Sequence, residues 1–169
     1  MKRTAVLIGA TAALLFAFAG LTQAADKVSA NDFAEEASAK GIAEIETSKL
    51  ALEKGSNAEV KKFAQTMIDD HTRANDELKA LAKKNNLELS DDADLMNKAK
   101  AMILQVRDGE NFDEAYANNQ VVAHEQAIEL YQKAAASDDG EISAWAKKTL
   151  PKLEHHLQMA KDLQGKTRQ

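Results

Sequence analysis

Three of the chain's four histidines fall where a helical pattern calls for an apolar side chain. His71 lies in the stretch from Ala58 to Lys84, AEVKKFAQTMIDDHTRANDELKALAKK. There Val60, Phe63, Met67, Ala74, Leu78 and Leu81 recur at three- and four-residue spacing, one face of a long helix. His71 shares that face, four residues after Met67 and three before Ala74. His124 stands in the series Tyr116, Gln120, His124, Ala127 and Tyr131. His156 stands in the series Ile142, Ala146, Thr149, Leu153, His156, Ala160 and Leu163. A fourth inward polar group, Glu44, belongs to the series Ala34, Ala37, Gly41, Glu44, Ser48 and Ala51, beside Phe33, Ile45 and Leu52. A titratable group on an apolar stripe costs free energy unless it has a partner, so chemistry is to be sought at these four residues. His155 lies about 100° around the helix from His156 and is expected in solvent, with Glu154 on the flank.

One carboxylate and three imidazoles form a ligand set suited to a borderline transition metal, Zn, Cu or Fe. The same groups could instead make a hydrogen-bonded polar layer that fixes helix register, with the histidines paired to Glu44, Gln120 or Tyr116. Both readings stand at the level of sequence. The usual di-iron signature, Glu three residues before His on two helices, is absent: Ile68 precedes His71 and Leu153 precedes His156 at that spacing. Met67 and Met159 lie within a turn of His71 and His156 and would suit Cu(I), yet they fit equally as core. Asp113 reads as a local cap or an ion-pair partner, and Trp145 as a packing anchor. No nucleophile-and-base pair, phosphate loop or dinucleotide fingerprint occurs, so nothing supports an enzyme.

Four long helices position these groups, and no strand pattern is found. The first runs from about residue 32 to 54, capped by Asn31 or Asp32. Gly41 lowers its helix propensity but permits the close approach of a neighbour. Gly55-Ser56-Asn57 is the break, with Gly55 expected in the left-handed C-terminal position and Asn57 as the next cap. The second helix spans about 58–86. A connection of some 25 residues follows, holding a shorter amphipathic helix, about 91–107, with Leu95, Ala99, Met102 and Val106 on one side and Asp108-Gly109 as its stop. The third helix is expected from Asn111, with Glu114 as capping-box partner, to about Ala136. The fourth follows Ser137-Asp138-Asp139-Gly140. Pro151 lies inside it and predicts a kink just before His156, and the tail from Gly165 is expected to fray.

Short first and last links force antiparallel hairpins, and the long middle one can run back along the bundle. That is the ferritin-like form of an all-α four-helix bundle, two hairpins joined by one long crossover, with an up-and-down bundle as the competing topology. At roughly 1.5 Å of rise per residue, Glu44 and His71 lie about 18 and 22 Å from the first turn. His124 and His156 lie about 22 and 26 Å from the last turn. All four therefore fall near the middle of helices roughly 35–40 Å long.

Residues 1–24 read as a cleaved secretory signal: Lys2 and Arg3, an apolar run from Ala5 to Leu21, then Thr22-Gln23-Ala24. Residues 25–169 form a single domain. Cleavage removes two basic residues and no acid, taking the formal charge from −5 to −7. An acidic domain without a basic stripe argues against nucleic acid as a partner and against strong binding to anionic membranes. The absence of cysteine excludes a lipid-attached form and leaves stability to the core alone. The expected compartment is the periplasm or another extracytoplasmic space. A homo-oligomer or an envelope protein partner is left open.

Several short segments carry a family resemblance: Glu44-Ile45 followed by Leu50-Ala51-Leu52, Val60-Lys61 with Phe63-Ala64, and Met67 with Asp70-His71. Further on are Phe112-Asp113 with Tyr116, His124, and Leu150-Pro151 with Leu153, His156 and Leu157. In these the chain resembles a bacterial family of exported ferritin-like proteins of unknown function, often labelled predicted outer membrane proteins. The resemblance spans nearly all of the mature chain and implies a ferritin-like bundle outside the cytoplasm. It implies no activity. The sequence has neither a lipid-attachment cysteine nor barrel strands to accompany the outer-membrane label.

Overall fold

The computed structural model describes residues 27–91, 98, 100, 101, 104, 105 and 107–168. The expected signal segment lies outside the described residues, as do Leu95, Ala99, Met102 and Val106 of the crossover.

Helix α1 spans Ala30–Lys54 and α2 Ala58–Asn85. Helix α3 spans Gly109–Ala135 and α4 Gly140–Thr167. Among the described residues there is no strand. The expected inward series are realised in the main, with Ala74, Leu81, Ala127 and Thr149 half-buried. Ala34, Ala37, Gly41, Glu44, Ser48 and Ala51 are all buried on α1, and Ile142, Ala146, Leu153, His156, Ala160 and Leu163 on α4. Asn57 caps α2 as expected, its side chain accepting from the Glu59 N–H at 2.8 Å.

Three local expectations are corrected. The first helix is capped by Ser29, which accepts from the Asp32 N–H. Asn31, expected as the cap, instead accepts from the Glu88 N–H at 2.8 Å, because the crossover needs its side chain. Gly55 is not left-handed: its φ of −65° and ψ of 146° are extended. A glycine is required there for space, since a Cβ would lie 2.7 Å from the Ala51 carbonyl oxygen and 2.8 Å from Asp113 Oδ1. The third helix starts at Gly109, with φ +58°, rather than at Asn111. The left-handed torsion that glycine tolerates lets the chain enter the helix directly, so no capping box at Asn111 is needed. Helix α4 continues through Pro151 without a break and stays helical to Thr167, past the point where fraying was expected.

Polar contacts fix the topology. Asp113, 3% exposed, accepts from the Ser56 N–H and hydroxyl and from the Asn57 N–H. The start of α3 is thereby tied to the α1–α2 turn. At the opposite end Lys84 pairs with Glu141 at 2.6 Å, joining the end of α2 to the start of α4. The described parts of the crossover meet α1 near both of its ends: the Glu88 N–H reaches Asn31, the Ser90 N–H reaches Ser38 Oγ, and Lys54 donates to the Gln105 carbonyl. Ser38, Ala39, Ala43 and Thr47 are also buried on α1, beyond its inward stripe. The result is a ferritin-like four-helix bundle, with α1 packed on α2 and α3 and with α4 packed on α3 and α2.

The apolar core is in two parts. One, near the α1–α2 turn, includes Val60, Phe63, Met67, Phe112, Tyr116 and Leu163. The other includes Phe33, Leu78, Tyr131, Ile142, Trp145 and Leu153. Phe33 meets the Tyr131 ring edge-on at 5.0 Å, and Trp145 is an anchor as expected, donating to Glu77 Oε2 at 3.3 Å. Each large side chain so buried contributes about 1.5–3 kcal/mol. Glu44, His71, Gln120, His124 and His156 belong to neither part.

Candidate metal centre

His71, His124 and His156 converge from α2, α3 and α4. Their ring centroids are 5.7, 5.6 and 5.4 Å apart, taken as 71–124, 71–156 and 124–156. Each is at most 8% exposed, and each offers one nitrogen within 4.8 Å of the others'. For imidazole ligation at about 2.0–2.1 Å in tetrahedral geometry, neighbouring nitrogens stand about 3.3 Å apart. From a triangle no wider than 4.8 Å, each nitrogen has at most roughly 0.8 Å to move toward a common centre.

The hydrogen bonds select which nitrogens face inward. His124 Nδ1 lies 2.9 Å from the Gln120 carbonyl, one turn earlier on its own helix. A carbonyl only accepts, so Nδ1 carries the proton and Nε2 is left with a free lone pair. His156 Nε2 lies 3.0 Å from Asp70 Oδ2, so by the same logic Nε2–H donates to the carboxylate and Nδ1 is free. This is the carboxylate–histidine arrangement that orients imidazole ligands. The buried histidine nitrogens without a hydrogen-bond partner inside the protein are His71 Nε2, His124 Nε2 and His156 Nδ1.

Burial keeps the His71 and His156 rings neutral. Burial depresses the His71 imidazole well below its ordinary range, and the neighbouring His124 and His156 add to the effect. Burial likewise pushes His156 down to about 4, against the opposing hydrogen bond to Asp70. Burial alone would raise the Asp70 carboxyl, but hydrogen bonds from Lys152 and His156 outweigh it and lower it. Lys152 stands 3.0 Å from Asp70 Oδ1. Asp70 is therefore charged, held in place from two sides, and joins the buried ring of His156 to the surface.

Glu44 borders the same cavity as His71 and His124 but is outside the set of mutually close donor atoms. Its Oε2 is buried without a hydrogen-bond partner. Tyr116, with Ser48 Oγ 2.8 Å from its hydroxyl, is pushed well above its ordinary range first by burial and further by the charge of Glu44. Gln120 is fully buried, yet its amide makes no hydrogen bond inside the protein. Of the pairings expected for a hydrogen-bonded layer, His124 has Gln120, through its backbone carbonyl and not its side chain, and none of the histidines is bonded to Glu44 or Tyr116. His155 is exposed, as its position on the helix required.

Asp70 is the residue whose part at the site sequence reasoning missed. Asp70 follows the wet face of α2, and only the packing of α2 against α4 turns it toward His156. Its place immediately before His71, one side-chain step around the helix, was the available signal.

Two antiparallel hairpins, one lengthwise crossover and a histidine cluster at mid-height define a ferritin-like bundle with a candidate metal centre. Within that class the chain belongs to the family described as a domain of unknown function, DUF4142, which matches residues 17–163. The fold is shared with a crystal structure of a DUF305 protein from Streptomyces coelicolor, whose description marks it provisionally as secreted. The two superpose with a TM-score of 0.69 at 15% identity, over 80% of this chain and 89% of that one. A comparison with curated proteins finds no significant match.

Proposed function

We propose that this protein is an exported bundle that binds one borderline transition metal ion, Zn, Cu or Fe, through His71, His124 and His156, in metal sequestration or stress tolerance. The observation that carries the reading is a set of three buried nitrogens without partners, one from each of three helices, on histidines whose ligand atoms lie within 4.8 Å of one another. An unpaired buried polar atom costs about 1–3 kcal/mol, and three together without a ligand form a layer worse than an apolar core. Neutral imidazoles suit Zn, Cu, Fe or Ni rather than Mg or Ca. The depressed protonation of His71 and His156 keeps their lone pairs available at neutral pH. Glu44 stands beside the three-nitrogen set.

Export is supported by the signal pattern of residues 1–24 and by the description of the structural neighbour as provisionally secreted. No helix among the described residues is long and apolar enough to cross a membrane. The alternative, an envelope interaction protein whose cluster is a hydrogen-bonded core layer, would draw on the His124–Gln120 and His156–Asp70 bonds, but leaves the three buried nitrogens without partners.

Calorimetric titration of metal-free protein with Zn(II) and with Cu(II) tests the reading. One equivalent bound by the wild type and none by His71→Ala/His156→Ala, with unchanged circular dichroism, is the expected result. Equal binding by both proteins would sink it.

A further inference from the structure

Beside the histidine cluster lies a cavity of about 30 Å3, bordered by Glu44, His71 and His124. That is room for one or two water molecules. Small residues make the space: Gly41 on α1, Ala74 on α2, and Ala123 and Ala127 on α3. Lys40 stands at its rim, held by Glu36 at 3.3 Å. Gly41 has a specific part in the wall. A Cβ there would fall 2.1 Å from Asn75 Oδ1, so glycine is what allows the Asn75 amide to lie against α1 at this level. The wall thus combines an amide, a carboxylate and two imidazole edges.

Small residues alone would mean only loose packing. Here a second observation adds to them: Glu44 is 93% buried by its 7% exposure, and its Oε2 has no partner. A buried carboxylate oxygen is an acceptor that requires a donor. A three-nitrogen centre leaves a position open, as catalytic sites with three protein ligands do.

We propose that this cavity binds one small exogenous oxygen ligand carrying a donatable proton, water in the resting state, bound on one side by the metal ion and on the other by Glu44 Oε2. The proposal rests on the metal reading above and adds that the centre is open rather than coordinatively closed. Glu44 then sets its selectivity. A neutral donor satisfies the carboxylate, whereas an anion meets a like charge in low-dielectric space.

Cobalt(II) loading gives a visible spectrum that reports the coordination sphere, and azide is the probe ligand. The variants are Glu44→Gln, which keeps the shape and removes the charge, and Ala123→Leu, which fills the cavity. All three proteins are expected to bind one equivalent of cobalt. Azide should shift the wild-type bands weakly, bind Glu44→Gln about tenfold more tightly as the repulsion is removed, and leave Ala123→Leu unchanged. Equal azide affinity in wild type and Glu44→Gln, or no response in either, would overturn the proposal. Loss of cobalt from Glu44→Gln alone would make Glu44 a metal ligand, which overturns the open-site proposal and leaves the metal reading standing. Failure of the wild type to bind cobalt would remove the metal reading itself.

Discussion

Mild acid should destabilise the metal-free bundle, and His156 allows the size of the effect to be worked out. In the folded protein burial holds its imidazole at about 4, against 6.5 for the ordinary side chain. Above pH 6.5 the ring is neutral in folded and unfolded chains alike, and the group has no effect on stability. Between pH 6.5 and 4 the unfolded chain takes up a proton that the folded chain refuses, so unfolding becomes more favourable as pH falls. Below about 4 both forms are protonated and the loss levels off. Two and a half units at about 1.36 kcal/mol each gives a loss of about 3 kcal/mol. His71 is displaced in the same direction, first by burial, and steepens the loss. Asp70, also lowered, loses its contribution only below the ordinary carboxylate range, outside this window. Urea unfolding of metal-free wild type and His156→Gln at pH 7.5, 6, 5 and 4 provides the assay. The variant should lose about 3 kcal/mol less than the wild type across the series. Parallel stability curves for the two proteins would refute the reasoning.

Other consequences follow from single contacts. Asp70→Asn keeps the shape but removes the charge that orients His156, so Zn(II) affinity should fall about 10–100-fold while the fold is retained; calorimetric titration measures it. Asp113→Ala leaves the Ser56 and Asn57 N–H groups without their acceptor and should cost about 2–3 kcal/mol in urea unfolding. Gly55→Ala would drive a methyl against the Ala51 carbonyl and Asp113, and should cost about 1–3 kcal/mol in the same assay. Saturating Zn(II), at about 100 times its Kd, should raise wild-type stability by about 2.7 kcal/mol at pH 7, and the increment should shrink toward pH 4 as protons compete for the same nitrogens.

Much of this arrangement was legible in the sequence because helical phase is a local property. The spacing of Val60, Phe63, Met67 and Leu78 placed His71 inward without knowledge of any partner. Two short links and one long one then left few ways to assemble four helices. Counting rises along each hairpin put the three histidines at one height, and their rings stand within 5.7 Å of one another. Phase does not give distance across the bundle, so it could not separate Glu44, at the cavity wall, from the three nitrogens of the cluster. Nor does it give the roles of residues whose partners are remote in sequence. Gly55 is a glycine because Asp113, far along the chain, occupies the space of its Cβ. Asn31 lost the cap to Ser29 because several residues there can accept a hydrogen bond, and the crossover claims one of them. Asp70 became a partner of His156 only through the packing of α2 on α4.

Element-resolved metal analysis of untagged protein purified from the cells that produce it naturally tests the central claim most directly. His71→Ala/His124→Ala, prepared the same way, is the comparison. About one Zn, Cu or Fe ion per chain in the wild type and none in the variant is the expected result. Equal and negligible metal in both would contradict it.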